Sequence, residues 1–313
     1  WLIERPLVTV VVSGLLMYCV NAPTRRALGH VVLVLMLANA ALGVFEAVTS
    51  TRINPYDLVE EEFRPTGLTN HPLSLGLLCA TAIGFTAVAD WKLPTRIATV
   101  LLLLLGAAAS GARFSTLLAA GSALAILMFV RWPGLSPQAA RKAKMVTLVM
   151  AMTAGVVLVA ALLSGGLLTR LSQGIVDENF FARVTIYQIF AYTGLSSILF
   201  GADIVAVLKV VNERLGLPYI ESSPVYFVYN FGLPLALLFA TSIFLLFRRL
   251  LRGAALPVTI GTVVFFLAAL SNNTLSTKTP LVAMVVVLII AFNPPAADGA
   301  ARSRRSSPAS PRG

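Results

Sequence analysis

LLLLLGAAASGARFSTLLAAGSALAI, residues 101–126, is two apolar runs joined by a turn of small residues with one cation, Arg113. Neither run carries a charge, and SGAR (110–113) has room only for the tip of a hairpin. Taken as 97–110 and 114–130, the runs approach the roughly 20 apolar residues that cross a bilayer core. Comparable runs recur at 6–20, 27–48, 73–89, 145–163, 225–247, 257–271 and 279–292. The expected fold is all-α: a polytopic helical membrane protein with about nine transmembrane helices. Several runs fall short of full span length, so their helices must extend into flanking residues.

Composition points the same way. Of 313 residues, 58% are apolar and 12% charged, where soluble domains carry about 45–50% and about 25%. Cys19 and Cys79 both sit inside apolar runs, which suits helix contacts better than a disulfide framework or a cysteine metal site. The chain opens on Trp1 with no charged segment before its first apolar run, unlike a signal peptide. Further helices are expected upstream.

A net charge of +11 would suggest nucleic acid in a soluble protein. Its placement suggests membrane topology instead. Assigning alternate loops to opposite sides puts TRR (24–26), WKLPTR (91–96), RWPGLSPQAARKAK (131–144), FRRLLRG (247–253) and the tail from Asn293 together. This side holds 15 Lys and Arg against two acids, Asp90 and Asp298, and the other holds nine against ten, with Glu46 left inside a span. The positive-inside rule makes the first side cytoplasmic. Residues 1–292 are then one transmembrane domain, with outer loops at about 49–72 and 164–224. Residues 293–313, rich in Pro, Ser, Ala and Arg, form a disordered basic cytoplasmic tail. Within the long outer loop, FFARVTIYQIFAYTG (180–194) and ADIVAVLKVVNERLG (202–216) mix apolar and polar residues at helical spacing, predicting short amphipathic helices.

The chemistry of the outer side is cationic. No phosphate-binding P-loop, HExxH, GxSxG or paired-histidine metal spacing occurs, and the sequence has two histidines, His30 and His71. Arg64, Arg113 and Arg183 come from three separate outer segments. Arginine grips phosphate or carboxylate with a planar fork of donors. Arg113 has little polar company in the sequence, and a cation near hydrocarbon is a functional candidate. His71, just before Pro72, suits either helix entry or proton transfer. Glu46 suits either pairing with an outer arginine or service as a base. Glu221, Ser222 and Ser223 precede a span, where they favour a helix start; Glu221 is also a carboxylate within reach of the arginines. Glu60, Glu61 and Glu62 read as a solvated run.

RPTGLTNHPLSLG (64–76) resembles the Arg-x-x-Gly-x-x-x-x-Pro segment of the O-antigen ligase and polymerase superfamily of bacterial integral membrane proteins. Residues 101–126 resemble that family's next feature, two apolar helices around a turn with Ser and Arg. NFFARVTIYQIFAYTGLSSILFGAD (179–203) is similar to its later Arg-plus-aromatic segment. The match runs from about Glu46 to Leu235 in order and spacing. The resemblance implies a metal-independent glycosyltransferase of the GT-C type, without a cofactor, in the bacterial inner membrane with its active face periplasmic. Its donor would be an undecaprenyl-pyrophosphate-linked oligosaccharide. Its other partners would be membrane lipid and a chain-length regulator or flippase of the same pathway, not nucleic acid. It implies catalytic roles for Arg64 and Arg113 on the pyrophosphate; Glu221 is the base candidate, with Glu46 and His71 as rivals. Arg183, Glu46, Tyr187 and Ser222 are the substrate-binding candidates. Ligases of the family carry a histidine where this chain reads IESSPVYF (220–227), which favours a polymerase of O antigen, capsule or exopolysaccharide. An O-antigen ligase or protein O-oligosaccharyltransferase, a transporter or flippase, and a structural assembly subunit are the competing readings.

Overall fold

The computed structural model describes residues 4–53, 63–69, 71–130, 136, 138–142, 144–145, 148–149, 182, 184–220, 222–272, 274–276 and 280–293. Among the described residues the fold is all-helical, 80% helix with no strand. Five helices come first: α1 (Glu4–Cys19), α2 (Ala22–Thr49), α3 (Pro72–Thr86), α4 (Leu93–Ala109) and α5 (Arg113–Phe129). After a 3-10 turn at Ile186–Gln188 come α6 (Ile189–Tyr192), α7 (Leu195–Phe200), α8 (Ile204–Leu215), α9 (Ser223–Phe231), α10 (Leu233–Leu250), α11 (Leu256–Leu270) and α12 (Leu281–Phe292). Most of the 145–163 run, residues 164–181 of the long loop and the tail beyond Asn293 lie outside the described residues.

α3 is the axis of the bundle. Every residue from Ser74 to Thr86 is buried, as suits a helix apolar on all faces. It packs against α2, α4, α5 and α11. Small residues set these approaches. A Cβ on Gly84 would lie 2.5 Å from the Pro257 carbonyl oxygen and 2.6 Å from Gly261 Cα, so α3 and α11 meet backbone to backbone. A Cβ on Gly76 would lie 2.7 Å from Ser110 Oγ, which seats the α4–α5 turn on the start of α3. Close contact through small residues is how helices associate where no water drives them together.

Two described helices, α2 and α10, are long and apolar enough to cross a membrane, and the other apolar helices are shorter. The run at 225–247 is not one helix. It breaks at Gly232 (φ 81°), where α9 ends and α10 begins. A Cβ there would strike the Leu199 carbonyl oxygen, and Ala202 N–H donates to Tyr229 O at 2.7 Å, so α7 packs into the break. α8 covers part of the amphipathic segment 202–216, capped by Asp203, which accepts from Val205 N–H at 3.0 Å, and by Gly216 in the left-handed region. Its buried face is Val207 and Val211.

The loops sort to two ends. At one end Arg26 pairs with Asp90 at 2.9 Å, His30 packs on Trp91 and Phe292, and Asn293 Nδ2 donates to Leu250 O at 2.8 Å. All three guanidinium nitrogens of Arg96 are used there, donating to the carbonyls of Trp91, Ala87 and Ala89. The opposite end brings the loop after α2 onto the α4–α5 turn, and Ser223 onto Asn272.

Candidate functional site

The loop after α2 is tied to that helix by two side chains on one of its faces. Asn39 and Glu46, seven residues apart, are both buried. Glu46 is 0% exposed. Its Oε1 accepts from Ile53 N–H at 3.1 Å, and its Oε2 accepts from the amides of Thr66 at 2.8 Å and Gly67 at 2.9 Å. Asn39 Oδ1 accepts from Leu68 N–H at 2.7 Å. Gly67 is in the left-handed region, at φ 59°. Both carboxylate oxygens of Glu46 therefore accept from backbone amides inside the fold.

This anchoring presents Arg64 to the α4–α5 turn. Its Nε donates to Ser110 O at 3.4 Å and lies 3.3 Å from where a Gly111 Cβ would stand. Gly111 turns at φ 67°, and Ala112 N–H donates to Ser110 Oγ at 3.1 Å, which in turn donates to Ala107 O at 2.7 Å. Half-buried Arg113 follows as the first residue of α5. From Ser110 to Arg113 the chain spans at most about 11 Å, so the Arg64 side chain is seated close to the point where Arg113 leaves the turn. Arg52, which charge counting passed over, joins them. Its Nε donates to Arg64 O at 3.0 Å and its guanidinium lies 5.0 Å from the Phe63 ring centroid.

His71 caps α3, its Nδ1 accepting from Leu73 N–H at 3.1 Å. That bond assigns the neutral ring's proton to Nε2. Burial, and then the nearby Arg64 cation, push its pKa down to about 4. The ring is neutral at pH 7, with one nitrogen occupied as an acceptor and the other a donor. This is the geometry of a helix-entry group.

A second group lies among the later helices. Ser222 caps α9, and its Oγ donates to the Tyr187 hydroxyl at 3.2 Å, joining two of the substrate-binding candidates. The next residue, Ser223, bonds through both N–H and Oγ to Asn272 O. From this end an apolar cavity of about 690 Å³ runs between α10 and α11, from Ser223 and Ser276 to Arg248 and Leu251. Arg64, His71, Glu46 and Arg113 do not line it. Its α11 residues Phe266 and Leu270 fall on the stripe opposite Gly261, which faces α3.

Arg183 and Glu221 lie outside the described residues. Among the described residues no three His, Cys, Asp or Glu side chains gather where a metal could sit. Of the residues that sequence reasoning missed, Asn39 carried a readable signal: a polar side chain inside an apolar helix, two turns from Glu46. Arg52 carried little, because its role comes from a backbone contact 12 residues away. Comparison with protein-family models, curated proteins and solved structures finds no match to this chain.

Proposed function

We propose that this chain is an inner-membrane glycosyltransferase, a polymerase of O antigen, capsule or exopolysaccharide. It would transfer glycan from an undecaprenyl-pyrophosphate-linked donor to a lipid-linked acceptor on the periplasmic face. The observation that carries the reading is the seat of Arg64 on the Ser110–Gly111 turn beside Arg113, with Arg52 bonded to the Arg64 carbonyl. Three cations on neighbouring segments suit a pyrophosphate better than a single charge does.

The membrane setting is supported by apolar side chains left exposed along α1, α2 and α10, such as Leu15, Leu16, Val31, Val34, Leu238 and Phe244. A soluble protein does not normally leave so much apolar surface contiguous. In this setting the end holding Arg26, Arg96 and Arg248 is cytoplasmic. The end holding Arg64, Arg113, Tyr187 and Ser222 is periplasmic. The apolar groove along α10, a helix about 27 Å long at 1.5 Å per residue, accommodates a polyprenyl chain.

In the reaction, an acceptor hydroxyl attacks the donor's anomeric carbon as the bond to the pyrophosphate oxygen breaks. The arginines stabilise the negative charge gathering on the lipid pyrophosphate, which is catalysis by pre-placed donors. The hydroxyl proton needs a base. With Glu46 sealed in backbone contacts and His71 committed as a cap, Glu221 is the candidate we assign. The test is complementation of a polymerase-null strain with Arg113→Ala and Arg64→Lys, reading glycan chain length. Both variants are expected to give single-repeat products, and wild-type chain length from both would refute the pyrophosphate clamp.

One observation favours a second reading. Transporters characteristically carry helices interrupted by Gly or Pro, and α9 and α10 are broken at Gly232, just before Pro234, beside the apolar groove. A lipid-linked glycan flippase would move its substrate in proteoliposomes without forming a glycosidic bond. The polymerase would form that bond.

A further inference from the structure

We infer that Glu46 is a positioning residue that staples the arginine-bearing segments of the outer loop into register, and that it does not itself touch substrate. The inference rests on the pyrophosphate-binding reading of Arg64.

The geometry is specific. Ile53 and Thr66 are 13 positions apart, yet both donate their amides to the one carboxylate, Ile53 to Oε1 and Thr66 with Gly67 to Oε2. The carboxylate therefore closes the base of the loop. Arg52 immediately precedes one stapled residue, and Arg64 stands two before another. The two arginine segments are cross-tied again by Arg52 Nε on Arg64 O, and Leu68 is held by Asn39. With the backbone held at the Arg64 carbonyl and at Thr66 and Gly67, the Arg64 side chain reaches Ser110 O.

A carboxylate is the side chain this job needs, since its two oxygens can each accept from a different segment. Glutamine would keep one oxygen and set an NH2 group against a backbone N–H, releasing one segment or the other. Aspartate, one methylene shorter, would hold the two segments from further away.

The test uses the full chain in nanodiscs, with inorganic pyrophosphate as probe and amide hydrogen exchange as the second readout. In Glu46→Gln, exchange should accelerate at the Ile53 amide or at the Thr66 and Gly67 amides, whichever segment is released, while α3 stays protected. The pyrophosphate dissociation constant should rise about tenfold, as expected for loss of hydrogen bonds to a charged group. Arg64→Ala should weaken pyrophosphate at least as much and leave those three amides protected. Faster exchange in Glu46→Gln with unchanged pyrophosphate affinity overturns the positioning role. Unchanged affinity in Arg64→Ala overturns the pyrophosphate reading instead. If Glu46→Gln does not fold, Glu46→Asp, which sets the carboxylate one methylene back from all three amides, decides on the same two readouts.

Discussion

Gly67 lies directly against the Asn39 side chain: a Cβ at Gly67 would overlap Asn39 Oδ1 and stand 2.8 Å from the Asn39 carbonyl oxygen. The backbone there is at φ 59°, where an L side chain costs about 1–2 kcal/mol before any clash. Crowding in a packed site adds roughly 1–3 kcal/mol. Gly67→Ala should therefore destabilise the protein by roughly 3 kcal/mol and free the Thr66 amide. Chemical unfolding in detergent, with exchange at Thr66, checks this. A fully stable variant would mean that the turn does not need its left-handed glycine.

His71 gives stability a pH dependence. The folded ring titrates at about 4, well below the ordinary value of about 6.5. Between these values the unfolded chain binds the proton and the folded one does not, so stability falls as pH drops from about 6.5 to about 4. Above that window His71 contributes no slope. Asparagine caps a helix without titrating, so His71→Asn should keep the fold and lose part of this acid sensitivity. Thermal midpoints at pH 7 and pH 4.5 make the comparison, and equal acid shifts in the two proteins would count against a buried neutral histidine.

The α3–α11 contact leaves no room for side chains at its crossing. A Cβ at Gly261 would stand 2.9 Å from Thr81 O, and one at Gly84 would stand 2.6 Å from the Gly261 amide nitrogen. Both obstacles are backbone, which cannot turn aside. Gly261→Leu should force the helices apart and lower stability by about 1–3 kcal/mol or more. A leucine at Gly121, where nothing lies within 4 Å of a built Cβ, should be nearly silent. If both changes have the same effect on detergent-solubilised thermal stability, close packing is not what joins α3 to α11.

Much of the bundle was readable because it is written in local composition. The runs before and after SGAR became α4 and α5, and the amphipathic segment 202–216 became α8 with its Asp203 and Gly216 caps. The break at Gly232 was signalled by FGLP inside an apolar run, yet run length alone concealed it. The site was legible as residue types and not as partners. Arg64 and Arg113 stood out as cations beside apolar segments. Nothing local announced that Glu46 would accept amides from Ile53 and Thr66, because a backbone N–H looks the same at every position. His71 was ambiguous for a related reason: capping and acid–base chemistry call for the same residue, and only its bond to Leu73 separates them.

In the proposed reaction, Arg64 and Arg113 hold a lipid pyrophosphate as it leaves a glycan. The most direct measurement is release of undecaprenyl pyrophosphate by the full-length protein in proteoliposomes supplied with lipid-linked repeat units. One lipid pyrophosphate should be released per glycosidic bond formed. The rate should fall about 10²–10³-fold in Arg64→Ala, the usual scale for losing one pre-placed donor. Arg26→Ala, which removes the exposed ion pair to Asp90 at the opposite end, should leave the rate near wild type. Release at the wild-type rate in Arg64→Ala, or glycan crossing the bilayer with no lipid pyrophosphate released, would contradict the proposed reaction.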